Sequence, residues 1–252
     1  MLCRTAISLL LFLAVGCSAE DNRIQNKKVR LALATEPFSF DPLHADSTSN
    51  QIIQRQVLET LLEYHPTKRP FTLQGLLAKS WHASDDGLTW EFTLKPNATF
   101  HDPETPPLWP NGIRKIEAQD VLESWLRHAD IRNESRGWWA FEGLIPGLDT
   151  FREETAKGEE EAVAAWDIAR ENGIEGFSIL SPQKFRISLA RVDLQFGNRV
   201  ASPYFAVIPA EAHKRAGLEF LNRPVGSGPF FVHKWTPRVR LSEKATPNWR
   251  GQ

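Results

Sequence analysis

The chain has 252 residues, with 30 basic and 31 acidic side chains and a formal net charge of −1. That length can bury a large apolar core, while the balanced charge leaves no cationic excess for a nucleic-acid backbone. Both cysteines, Cys3 and Cys17, lie within the first 17 residues, so a mature chain starting at Cys17 holds no pair for a disulfide.

Arg4 precedes an uncharged run from Ala6 to Val15. The run is shorter than the roughly 20 apolar residues of a membrane-spanning helix. It fits the apolar region of a secretory signal peptide occupying residues 1–16. Cys17, directly after Leu13-Ala14-Val15-Gly16, resembles the lipobox cysteine of bacterial lipoproteins. That likeness implies acylation of Cys17 and a lipid anchor to a membrane. Residues 17–28 are then a lipidated polar tether.

Alternation of Val29, Leu31 and Leu33 predicts a half-buried strand, and Glu36-Pro37 and Asp41-Pro42 interrupt further pairing. A helix follows, capped by Ser47 or Ser49, with Ile52, Ile53, Val57 and Leu61 at helical spacing. Leu77–Ala83 and Leu88–Lys95 read as a hairpin about Ser84-Asp85-Asp86-Gly87, where Asp-Gly suits a tight turn. Trp81, Trp90 and Phe92 are expected in the core. Residues 102–112 hold four prolines and read as an irregular loop. Glu117–His128 is an amphipathic helix with Val121, Leu122, Trp125 and Leu126 inward. Glu159–Asn172 is another, burying Val163, Trp166 and Ala169 and ended by Gly173. A second hairpin joins Ile174–Leu180 to Phe185–Leu189, and a last one joins Phe230–Trp235 to Val239–Glu243. The fold class is mixed α and β.

Catalytic signatures are missing from the sequence. No two of the seven histidines stand at i, i+3 or i, i+4, the spacing that sets metal ligands on one helix face. There is no G-x-S-x-G elbow, P-loop or dinucleotide fingerprint. Gly226-Ser227-Gly228 runs directly into Pro229 and reads as a backbone turn. Asp85-Asp86 is explained by turn chemistry. The reading is a protein that is not an enzyme and needs no cofactor.

Four segments carry a likeness to a known family. They are Glu36–Pro42, Leu77–Lys95 continuing to Phe100-His101, Ala118–Trp125, and Pro224–Phe230 ending near Asn248–Gly251. In this order the chain resembles the family 5 extracellular solute-binding proteins, the oligopeptide-, dipeptide- and nickel-binding subunits of ABC importers. It departs from the pattern in the proline-rich stretch Asp102–Ile116 and in its shorter length. The resemblance implies an α/β lobe of the type II periplasmic-binding-protein kind. Residues 29–45 and 173–252 would form the first lobe, residues 46–172 a small inserted α+β domain, and the second lobe would be missing.

The resemblance further implies capture of peptides, or other small solutes, in the periplasm or cell envelope for delivery to a permease. Ligands of this family are enclosed by lobe closure, and extended peptides can be held through main-chain hydrogen bonds. The segment Glu36, Pro37 and Phe38 is expected to line the cleft, with Glu36 near a peptide amino group. Trp138 and Trp139 are candidates for an aromatic wall, with core packing as the rival reading. Alternatives of other kinds are an envelope signalling or scaffold lipoprotein, and a nickel or metal-chelate binder.

Overall fold

The computed structural model describes residues 28–216, 222–247 and 249–251. The leader, Cys17 and nearly all of the tether lie outside these residues. The chain divides into Met1–Leu33 and Ala34–Gln252. Within the first unit, residues 28–33 form no strand, and Val29 and Leu31 are 83% and 73% exposed. The expected strand is thus corrected. Side-chain alternation supplies a pattern but no backbone partner, and a strand exists only when paired.

The second unit is built around a four-stranded antiparallel sheet made from the two predicted hairpins. Strands β1 (Leu62–Tyr64) and β2 (Leu73–Gly75) form a small separate pair. β3 (Ala78–Ala83) and β4 (Thr89–Leu94) follow, and the sheet order places β4 beside a strand nearly one hundred residues later. At the β3–β4 turn, Asp86 Oδ1 accepts the Leu88 amide at 3.0 Å and Gly87 sits at φ +71°, a conformation natural to glycine.

β5 (Thr99–His101) and β6 (Ile113–Lys115) bracket the proline-rich loop. The two oxygens of Asp102 accept the amides of Glu104 (3.0 Å) and Leu108 (2.7 Å), which shapes that loop from inside.

Helix α1 (Thr48–Val57) is capped by Ser47, whose Oγ accepts the Asn50 amide at 3.1 Å; Leu61 lies beyond its end. Helix α2 (Ala118–Ala129) starts at Glu117 in a capping box with Asp120. α3 (Leu148–Thr155) has no clear sequence signal, and α4 (Glu159–Asn172) ends at Gly173 as expected. Along α4 the buried stripe is Ala162, Trp166 and Ala169, with Trp166 half-buried and Val163 50% exposed. The expectation for Val163 is corrected because Trp166 turns toward Phe151 of α3, ring centroids 5.3 Å apart, and donates to Asp130 at 2.8 Å. That rotation sets the helix face.

β7 (Phe177–Ser181) and β8 (Lys184–Ser188) complete the order β3-β4-β8-β7, with Trp90 opposite Ile187 and Phe92 opposite Phe185. Phe92, Phe185 and Phe177 stack in a row at 5.5 and 5.0 Å. Trp125 of α2 meets Phe177 and Phe205 edge-on at 5.8 and 5.2 Å, the arrangement favoured by the ring quadrupole. Trp81 and Trp90 pack against this core at partial exposure.

Short helices α5 (Phe196–Arg199) and α6 (Ala210–Ala216) follow. β9 (Phe230–Thr236) and β10 (Arg240–Ala245) form the last hairpin, with a bulge between Ser242 and Glu243.

The strap Gly226-Ser227-Gly228 crosses the end of α1. The Gly228 amide donates to the Val57 carbonyl at 2.9 Å, and the Gly226 carbonyl accepts from the His101 amide at 2.8 Å. A Cβ at Gly226 would run into the Val57 carbonyl oxygen, and one at Gly228 into that of Gln56. Backbone atoms cannot give way as a flexible side chain can. Gly226→Ala is expected to cost about 1–3 kcal/mol, the usual cost of overpacking. A urea midpoint equal to wild type would refute this contact as structural.

Candidate functional site

Segment 36–46 is fixed by its alternate residues. Pro37, Ser39 and Phe40 are buried, while Glu36 and Phe38 face water. Phe40 packs on Trp235 of β9, centroids 5.1 Å apart. Asp41 caps the turn at Pro42–His44, its Oδ1 accepting the Leu43 amide at 3.0 Å. The same carboxylate takes a two-pronged pair from Arg127 of α2, at 3.1 and 2.7 Å. Two residues of α1 hold the backbone: Asn50 Oδ1 accepts the Phe38 amide at 3.1 Å, and Gln54 Nε2 donates to the Asp41 carbonyl at 2.8 Å. Phe38 is left 46% exposed on a rigid base.

A second strip, residues 135–139, lies beside it. The Arg136 amide donates to the Leu43 carbonyl at 3.0 Å. The Arg136 guanidinium sits 5.1 Å above the Phe38 ring and pairs with Asp46 at 2.6 Å. Trp139, 62% exposed, meets Tyr204 edge-on at 5.6 Å. Burial pushes the Tyr204 phenol above its ordinary pKa. A Cβ at Gly137 would strike the Tyr204 ring, so only glycine lets the strip approach.

The structure therefore divides the sequence candidates. Phe38 and Trp139 both face outward, with Arg136 over the Phe38 ring and Tyr204 against Trp139. Trp138 turns instead to the core and is covered by Arg152 at 4.9 Å. Pro37 is buried and shapes the turn. Glu36 is held by the β9–β10 turn, its Oε1 accepting the Arg238 amide at 2.6 Å. Arg136, Asp46 and Tyr204 were not foreseen. Tyr204 is one of only two tyrosines in the chain, and its Ser-Pro-Tyr-Phe context was the one available hint.

A pocket of about 290 Å³ lies among α2, α4 and α6. Its charges are largely spent on one another, Arg132 on Asp130 and Glu159, and Arg170 on Glu123 and Asp167. Among the described residues no three His, Cys, Asp or Glu side chains gather as a metal site, and no helix is long and apolar enough to cross a membrane.

Comparison with known proteins gives one consistent family. Residues 72–252 match the model for bacterial extracellular solute-binding proteins, family 5 Middle. Over 96% of its length the chain is 26% identical to di/tripeptide-binding protein 2 of Pseudomonas aeruginosa, covering 42% of that protein. It is 27% identical to heme-binding protein A of Haemophilus influenzae over 87% of this chain and 37% of that protein. In fold it resembles a periplasmic oligopeptide-binding protein of Borrelia burgdorferi, with TM-score 0.68 and 21% identity, covering 86% of this chain and 39% of that one. The murein tripeptide binding protein of Escherichia coli gives TM-score 0.68 and 20% identity, with 87% and 38% covered. The architecture is the mixed α/β fold of type II periplasmic binding proteins, and the chain spans about two fifths of the length of these relatives.

Beneath the aromatic surface, His128 is buried, stacked on Phe141 at 4.7 Å and hydrogen-bonded to Ser135 Oγ at 2.7 Å. Desolvation, helped by the Arg127 cation, holds its pKa down to about 3. The unfolded chain protonates this imidazole near 6.5, so between about 6.5 and 3 the unfolded state binds the extra proton. Its contribution is complete above 6.5 and is lost as pH falls, by about 1.4 kcal/mol per unit for one proton. Urea unfolding across pH 7 to 4 is expected to be less steeply pH-dependent in His128→Gln than in wild type; parallel curves would remove His128 from the acid response.

Proposed function

The chain belongs to the family 5 bacterial extracellular solute-binding proteins, and we propose that it captures peptides in the cell envelope for delivery to the permease of an ABC importer. Its work on the ligand is non-covalent. The observation that carries the reading is the solvent-facing surface of Phe38, Arg136 and Trp139, backed by the buried Tyr204 and held on a rigid base. Two exposed aromatic faces can bury apolar peptide side chains without demanding a particular sequence. The Arg136 guanidinium, already tied to Asp46, can accept a peptide carboxylate in the planar geometry it favours. Support comes also from the di/tripeptide- and oligopeptide-binding relatives.

Glu36 is proposed to approach a peptide amino group from the rim, opposite the cationic Arg136. That polarity orients an extended peptide with its amino end toward Glu36. Residues 29–45 and 173–252 are proposed as the first lobe and residues 46–172 as the inserted domain. Cys17 is proposed as the lipidated first residue of the mature chain. Several acyl chains at one cysteine give stable retention, since a single chain binds membranes only marginally.

A tripeptide carrying a photoreactive diazirine side chain tests the surface directly. Irradiation with the 17–252 chain is expected to label the tryptic peptides containing Phe38 and Trp139, and Trp139→Ala should cut that labelling severalfold. Labelling located elsewhere, or unchanged in the variant, would overturn the assignment. For the anchor, cells fed radiolabelled palmitate are expected to label the wild-type product and not Cys17→Ser; equal labelling of both would sink it.

A further inference from the structure

A second concavity, of about 110 Å³, opens beside the C-terminal half of α1 and shares no residue with the aromatic surface. Its walls carry opposite charges that do not touch. Arg55 and Glu63 both line it, together with Gln54, Thr60 and the apolar Leu58 and Leu76. Among the described residues Arg55 has no hydrogen bond or ion pair, and Glu63 is the anion that faces it, with Tyr64 beside. Partial desolvation lowers the Arg55 guanidinium below its ordinary pKa, opposed by Tyr64 and Glu63, and its exposed end is open to a ligand.

The deeper groups are just as incompletely used. Gln54 is almost wholly buried; its Nε2 is spent on the Asp41 carbonyl, and its Oε1 has no partner. A buried acceptor left unmade costs about 1–3 kcal/mol, which a donor entering the pocket would recover. Thr60 Oγ1 donates to the Leu62 carbonyl at 2.6 Å, leaving its lone pairs free to accept. Glu63 Oε1 accepts from Gln74 at 2.7 Å, and among the described residues Oε2 makes no hydrogen bond.

We propose that this pocket binds a small zwitterionic α-amino acid, glycine or alanine in size, with its carboxylate on Arg55 and its ammonium between Gln54 Oε1 and Glu63. Each half of that ligand meets its complement: a guanidinium for the carboxylate, and two or three acceptors for an ammonium with three donors. The volume holds only several waters, which favours a small ligand. The site is a separate one, and its existence does not rest on the peptide reading.

Calorimetric or NMR titration of the 17–252 chain tests it with five probes: glycine, L-alanine, acetate, methylamine and L-tryptophan. Glycine and L-alanine are expected to bind saturably. Acetate and methylamine, each carrying half of the recognition, should bind at least about tenfold more weakly, a difference of about 1.4 kcal/mol, and L-tryptophan should not bind. Arg55→Gln, at an exposed position that leaves the circular dichroism spectrum intact, should weaken glycine at least about tenfold, and Arg55→Lys should restore part of it. A non-saturating response to glycine and alanine, equal binding of acetate, or full affinity in Arg55→Gln would each overturn the proposal.

Discussion

Two charges removed from water at Asp41 and Arg127 hold three parts of this molecule in register. Asp41 belongs to the turn after Phe40, Arg127 to α2, and the Asp41 carbonyl is gripped by Gln54 of α1. Both side chains are nearly inaccessible. Such a pair is weak evidence for net stability, because desolvation offsets much of the attraction, but removing one partner leaves an uncompensated buried charge at a cost of about 3–5 kcal/mol. The fold therefore has little freedom to place segment 36–46 anywhere else. Every outward-facing residue of the candidate surface inherits its position from that constraint.

A second buried pair acts likewise at the far end of the chain. Arg250 reaches Glu59 at 2.5 Å, and Trp249 Nε1 donates to the Ser227 carbonyl at 3.0 Å. Burial raises the Glu59 pKa, opposed by the Arg250 charge. The Gly-Ser-Gly strap passes between these groups and α1, which is why its glycines tolerate no side chain. Residues almost two hundred positions apart are thereby joined through polar contacts that only a close backbone crossing allows. The aromatic core supplies the bulk of burial, and these pairs fix which strands and helices it joins.

The surface and the pocket follow different physics. At Phe38 and Trp139, rings are left in water on a rigid base, a disposition that suits a ligand bringing its own apolar area. At Arg55 and Gln54, polar groups are left short of partners, a disposition that suits a small ligand bringing charge. Both draw on α1, whose Asn50 and Gln54 hold the first and whose Gln54 and Arg55 line the second.

Much of the fold was legible because it is local. Asp86-Gly87 dictates its turn, period-two alternation dictates β4, and the Ser47 cap with apolar residues at helical spacing dictates α1. The same local signals misled where a partner was needed: Val29–Leu33 alternates yet pairs with nothing described, and Val163 sits at a plausible helical position while Trp166 decides the rotation. Of the site, Phe38 and Trp139 were named from the sequence, but Trp138 could not be told from its neighbour, since adjacent residues differ only in the direction a turn gives them. Arg136, Tyr204 and the Arg55 pocket were invisible, being made from segments far apart in the chain. Short-range rules of backbone sterics and amphipathic period thus determined the elements and, through the order of its motifs, the family. Which side chains face water together, and which charges are buried against each other, was decided by long-range packing alone, because those energies depend on neighbours that the linear order does not specify.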